Sequence, residues 1–267
     1  MVGHQTRTVY VDIRTPGVSA GGSVPAVLIH GWASSSVYWE PLAKKLLDAG
    51  RAVWVADLPG YHPGEKLPPE FEWTLDSAAE CLAGALESRQ SGPVHLVGHS
   101  LGGSVALTLA AAHPHLVDTV TLVGMVPAPP NESFRAMLQS QWTQGFIDAR
   151  TKAACMEAWY GHLSTEDREL LSRGFDVPFE VLGPSGEAAM AGVEPSTPGR
   201  VRAPLLVLAG AEDRVRSTDQ MVGFVNADPR RRLTIVPDAG HSVHWEQAQQ
   251  CAQALQEFWR SSGPLPA

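Results

Sequence analysis

Gly98-His99-Ser100-Leu101-Gly102-Gly103 follows the apolar run from Pro93 to Val97 and precedes the small-residue run from Ser104 to Ala112. In a Gly-x-Ser-x-Gly pattern the serine sits on a strand-to-helix turn too sharp for bulky neighbours, so its hydroxyl projects into solvent at the end of a sheet. Ser100 is therefore a candidate nucleophile. Three fixed residues make a weak match alone; the context strengthens it. Val94, His95, Leu96 and Val97 read as a buried strand, and Ala, Leu and Val residues behind the turn read as a helix, the setting the motif requires. The competing reading, a glycine-rich turn with Ser100 as an ordinary N-cap, loses ground to the polar residues found downstream.

Outward from the turn, apolar runs alternate with helical spacing. Thr8 to Ile13 alternates like an edge strand, and Pro16 to Ser23 is a glycine-rich turn. Ala26 to Ile29 and Ala52 to Ala56 read as buried strands, with a helix from Val37 to Ala49 between them. Thr74 is the expected N-cap of a helix reaching Arg89, and Val117 to Met125 supplies another strand. From Pro127 to Arg200 the alternation stops: prolines and glycines interrupt a segment that carries Phe134, Met137, Leu138, Trp142, Phe146, Met156, Trp159 and Tyr160 at helical intervals. That segment reads as an inserted helical cap over 127–200, leaving 1–126 and 201–267 as the core. Strands resume at Leu205 to Leu208 and Leu233 to Val236, with helices near Ser217 to Val225 and Ser242 to Trp259. The pattern argues for an α/β fold with a mainly parallel sheet covered on both faces, whose ligands sit beyond the carboxyl ends of the strands.

The 267 residues suffice for one large domain, or one domain plus an insertion. Twenty basic against 28 acidic residues give a net charge of −8, which repels phosphate backbones and anionic membranes and makes nucleic acid a poor partner. The three cysteines, Cys81, Cys155 and Cys251, lack the spacing of a zinc site or a disulfide framework and fit a reducing compartment. The N-terminus lacks a charged start followed by an apolar core, and no apolar run reaches the roughly 18 residues of a membrane helix. A cytoplasmic protein without membrane insertion is expected.

A serine hydroxyl needs a base to take its proton, usually an imidazole steadied by a carboxylate. His241 lies in Asp238-Ala239-Gly240-His241-Ser242 just after one strand, and Asp213 lies in Gly210-Ala211-Glu212-Asp213-Arg214 just after another. Each has a bland alternative. Asp213 could only cap the next helix or pair with Arg214 or Arg216. His241 and His244 could hold a metal, although no cysteine or carboxylate cluster completes such a site. His99 is expected to pack beside the turn.

With Ser100, Asp213 and His241 in that order, the chain resembles the α/β-hydrolase superfamily, in its branch of small serine esterases with a helical cap, from His30 to Trp259. The resemblance implies a mostly parallel eight-stranded sheet with a triad at its top, although only one clear strand precedes Ala26. It favours Asp213 over Glu212 as the acid, and it adds the Trp32 amide, after His30 and Gly31, to the Leu101 amide as an oxyanion hole. Trp32, Met125, Phe146 and Trp159 are the expected substrate-binding side chains. The implied reaction is cleavage of small or medium apolar esters, aryl esters or lactones through an acyl-enzyme on Ser100, without metal or organic cofactor. Cleavage of C-C bonds, thioester hydrolysis and perhydrolysis use nearly the same residues. A small-molecule receptor and a cofactor-free oxygenase are the rivals of another class.

Overall fold

A computed structural model describes residues 12–15, 24–89, 92–128, 132–161 and 163–262. Its centre is a single sheet. The strands are β1 (Asp12–Arg14), β2 (Ala26–Ile29), β3 (Val53–Asp57), β4 (Val94–His99), β5 (Val117–Val123), β6 (Leu205–Gly210) and β7 (Arg231–Val236), and their spatial order is β1-β3-β2-β4-β5-β6-β7. Only β1 runs antiparallel, against β3; the others are parallel. The expected eight strands are thus seven among the described residues. Of the expected first strand, Thr8 to Val11 lie outside them, as does the turn from Pro16 to Ser23.

Parallel strands covered on both faces become nearly continuous apolar runs, and β2 and β6 are buried at every residue. Alternate side chains feed two cores. Val27, Ile29 and Leu96 pack on one face with α2 (Leu75–Ser88) and α3 (Leu101–Ala112). Leu28, Val97 and Leu206 pack on the other with α1 (Glu40–Asp48) and the C-terminal helix. Thr74 caps α2 as expected: its hydroxyl accepts the Ser77 N–H at 3.0 Å, and the Ser77 hydroxyl accepts the Thr74 N–H at 2.9 Å.

Between β5 and β6 lie α4 (Glu132–Gln144), α5 (Ala149–Trp159), α6 (Thr165–Ser172), α7 (Phe179–Ala191) and the short α8 (Thr197–Arg200). After β6 come α9 (Thr218–Asn226), then β7, then α10 (Val243–Glu246) and α11 (Ala248–Ser262). The expected single helix from Ser242 to Trp259 is therefore two, broken at Gln247, which leaves the helical region at φ −129°, ψ 48°. The preceding Glu246 turns its carboxylate back onto the Gly240 and Gly161 amides. Helical spacing carries no sign of that pull.

The turn after β4 demands glycine for a steric reason. A Cβ on Gly98 would strike the Gly102 backbone, and one on Gly102 would lie 2.5 Å from the His30 carbonyl oxygen and closer still to that of Ile29. Backbone cannot yield as a flexible side chain can. Gly102→Ala is therefore expected to cost about 3 kcal/mol, the upper range for overpacking, read as a lowered urea midpoint; an unchanged midpoint would show that α3 can pull back from β2.

Candidate active site

Four strand ends converge here. Ser100 follows β4 at φ 49°, ψ −115°, a backbone conformation side chains rarely adopt, and is half-buried. Its amide donates to the Val123 carbonyl at 3.1 Å and its carbonyl accepts from Gly103 at 2.9 Å, so β5 and α3 hold the strained residue from both sides. Leu101, the first residue of α3, is buried, and its amide points from a helix start, where no intrahelical acceptor exists.

Asp213 follows β6, and its side chain is 2% exposed. One carboxylate oxygen accepts the Val215 and Arg216 amides at 2.7 and 3.0 Å; the other accepts from His241 Nδ1 at 3.0 Å. The acid thus makes the capping bonds of the bland reading and the histidine contact as well. Neighbouring Arg214 pairs elsewhere, with Glu157 at 3.9 Å. A carboxylate partner fixes the His241 proton on Nδ1 and leaves Nε2 with its lone pair. His241 follows β7 on a loop stitched to the acid loop: the Ala211 and Glu212 amides donate to Val236 and Ala239 at 2.9 Å each. The same loop is tied to the end of α5, since the Ser242 amide donates to the Trp159 carbonyl at 3.0 Å and Glu246 accepts from Gly161 at 3.0 Å.

Trp32 stands on the turn after β2. Its indole N–H donates to the Leu182 carbonyl of α7 at 2.8 Å, and its ring meets Trp159 edge-on at 6.1 Å and Phe175 edge-on at 5.9 Å. His30 fixes this turn from beneath. Its Nδ1 lies 2.7 Å from the Gly31 carbonyl and so carries the proton, while its Nε2 accepts the Leu58 amide at 3.0 Å. Burial lowers its pKa, which suits a neutral ring. Asp57 accepts from the Ser36 amide at 2.6 Å and the Ser36 hydroxyl at 3.1 Å.

Ser100 and His241 line one narrow cavity of about 40 Å³, room for a few water molecules. Trp32, Trp159, Tyr38 and His99 form its sheet-side and aromatic walls; Leu138, Gly186, Ala189 and Met190 descend from α4 and α7. Val215 and Arg216 complete it. Of the four expected substrate-binding side chains, Trp32 and Trp159 stand in this wall. Met125 is buried against Gly103 of α3 instead. Phe146 is 54% exposed and does not line the cavity, because Gly145 at φ 76° ends α4 and turns the chain away. Sequence reading missed Tyr38, Leu138, Met190 and the cavity position of Arg216; for Arg216 the only signal was its place three residues after Asp213.

Behind His241 lies a histidine cluster. His99 is 4.9 Å from His241 and 4.5 Å from His244 between ring centroids, and His244 also meets Trp39 at 4.2 Å with the rings tilted by 39°. His99 Nε2 donates to the His241 carbonyl at 3.2 Å. Among the described residues no group of three His, Cys, Asp or Glu side chains is placed to hold a metal ion. Burial pushes His99 well below the usual histidine range and His244 down to about 3, so both are neutral in the fold. In the unfolded chain they protonate near 6.5. A depressed folded pKa gives stability that is complete above the unfolded value and lost as pH falls below it. His244 is expected to withdraw about 2 kcal/mol between pH 7 and 5, and His99 acts in the same direction. Urea unfolding at the two pH values measures this, and His244→Phe should flatten the dependence; an unaltered slope in that variant contradicts it.

The chain matches the alpha/beta hydrolase family over residues 26–254 and belongs to it. It is 26% identical over 253 residues to the dihydrolipoyllysine-residue acetyltransferase component of the acetoin cleaving system of Pseudomonas putida, covering 90% of this chain but only 64% of that protein. It is 29% identical over 265 residues to the pimeloyl-(acyl-carrier protein) methyl ester esterase of Methylococcus capsulatus, covering 91% of this chain and 98% of that one. A thermophilic esterase from Thermogutta terrifontis shares the fold with a TM-score of 0.80 at 22% identity, over 94% of this chain and 93% of the other.

Proposed function

We propose that the protein hydrolyses small carboxylic esters through an acyl-enzyme on Ser100. One observation carries this reading: Ser100 and His241 face a common cavity while Asp213 holds His241 Nδ1 at 3.0 Å, which leaves Nε2 as the base. His241 takes the Ser100 proton as the hydroxyl attacks the ester carbonyl. The Leu101 and Trp32 amides receive the oxyanion; losing one such donor typically costs about 10² to 10³ in rate. The imidazolium, steadied by Asp213, then protonates the leaving alkoxide. The acyl-enzyme is released when His241 activates a water molecule. No step calls for a metal or an organic cofactor.

The segment 127–200 is the cap of this site. Leu138, Ala189 and Met190 close the cavity from above, and the narrow space with its indole walls suits a short, flat acyl or aryl group. No helix among the described residues is long and apolar enough to cross a membrane. The three free cysteines, of which Cys155 and Cys251 are buried, support a reducing, cytoplasmic setting. Purified protein given a panel of aryl and alkyl esters, lactones and thioesters tests the reaction class: rapid turnover of short esters is expected. One slow turnover followed by retained product would indicate a receptor, and oxygen uptake without ester cleavage an oxygenase.

A further inference from the structure

The cavity holds one permanent cation that the ester mechanism does not use. Arg216 is 8% exposed and lines the same space as Ser100 and His241. Its Nε has no hydrogen-bond partner among the described residues, and Nη1 reaches only the adjacent Val215 carbonyl at 3.5 Å. A guanidinium offers five donors in a planar fork shaped to a carboxylate, and leaving them unmet in a buried site is costly. Asp213 is the nearest charge of opposite sign, but its oxygens already accept two amides and the His241 ring. Burial lowers the Arg216 pKa to about 10, which still leaves it charged at neutral pH. Among the described residues that line the cavity there is no carboxylate.

We propose that Arg216 recognises a carboxylate carried by the substrate, so that the preferred ester has an anionic end a few bonds from the scissile carbonyl, as in a half-ester of a short dicarboxylic acid. This narrows the small or medium apolar esters expected from the sequence to ones that carry an anionic end, and it rests on the ester-hydrolase reading above. The body of the substrate meets Trp32 and Trp159, and its anionic end meets the guanidinium. The hydrolysis itself is unchanged: the acyl carbon to alkoxy oxygen bond breaks, water supplies hydroxyl to the acid and a proton to the alcohol, and the second carboxylate only binds.

The test compares monoethyl succinate with ethyl 4-oxopentanoate, in which a methyl ketone replaces the carboxylate at nearly equal shape. Wild type is expected to favour the charged ester in kcat/KM by about 10- to 100-fold, the range for a hydrogen bond to a charged group. Arg216→Gln and Arg216→Met should collapse that ratio towards one, chiefly through KM for the charged ester, and Arg216→Lys should keep part of it. Parallel losses on both esters would assign Arg216 to supporting Asp213 and overturn the proposal, as would a wild type indifferent to the charge. Absence of turnover with either of these and every aryl ester would overturn the ester-hydrolase reading and the proposal together; turnover of the neutral ester without charge preference overturns only the proposal.

Discussion

Ser100→Ala is expected to lower kcat/KM for short esters by about 10⁴- to 10⁶-fold while leaving the fold in place. The size follows from the proposed role: without the hydroxyl no acyl-enzyme would form, and the amides of Leu101 and Trp32 would only assist direct attack by water. The fold survives because the backbone at φ 49° is held by the bonds to Val123 and Gly103, none of which involves the side chain. Alanine carries the same Cβ into the same conformation, so strain is unchanged. Initial rates with p-nitrophenyl acetate, beside a thermal melt of the same preparation, measure both. A variant with a native melt that keeps a tenth of the activity would remove Ser100 from the mechanism.

Asp213→Asn should cost about 10⁴ in kcat. Two backbone amides, from Val215 and Arg216, aim at one oxygen of this side chain, so the asparagine carbonyl must occupy that position. Its NH2 then faces His241 Nδ1, where the carboxylate oxygen had accepted a proton at 3.0 Å. Two donors cannot share that contact. The ring is driven to the tautomer with its proton on Nε2, and the base that should serve Ser100 is occupied. The loss should appear in kcat with KM little changed, because the cavity walls are untouched. Loss of binding alone would mean that Asp213 shapes the pocket and does not orient the base.

How much of this was legible in the chain follows from which forces act locally. The β4 turn was readable because Gly98 and Gly102 are required by contacts of backbone with backbone, which leave no other residue type available. Thr74 was readable because a capping hydroxyl acts within three residues. The strands that precede Ser100, Asp213 and His241 were readable because each is a short apolar run bounded by turn residues. What was not legible depends on partners far along the chain. Phe146 and Leu138 look alike as members of an apolar stripe; the turn at Gly145 sends one outward, and α4, tied to α7 by the Trp142 indole bond to the Gly183 carbonyl, holds the other over the cavity. The break at Gln247 accompanies a contact from Glu246 to Gly161, 85 residues away. Arg216 looks like any surface arginine, and only the assembled wall shows it buried.

The most direct test of the central claim, that His241 activates Ser100 as a nucleophile, is titration with a p-nitrophenyl alkylphosphonate followed by peptide mass mapping. One phosphonyl group per chain is expected, on Ser100, with an equivalent of p-nitrophenolate released and ester hydrolysis lost in proportion, and with labelling slowed in Asp213→Asn. Phosphonylation of another residue, or full ester hydrolysis by protein whose Ser100 is completely modified, would contradict it.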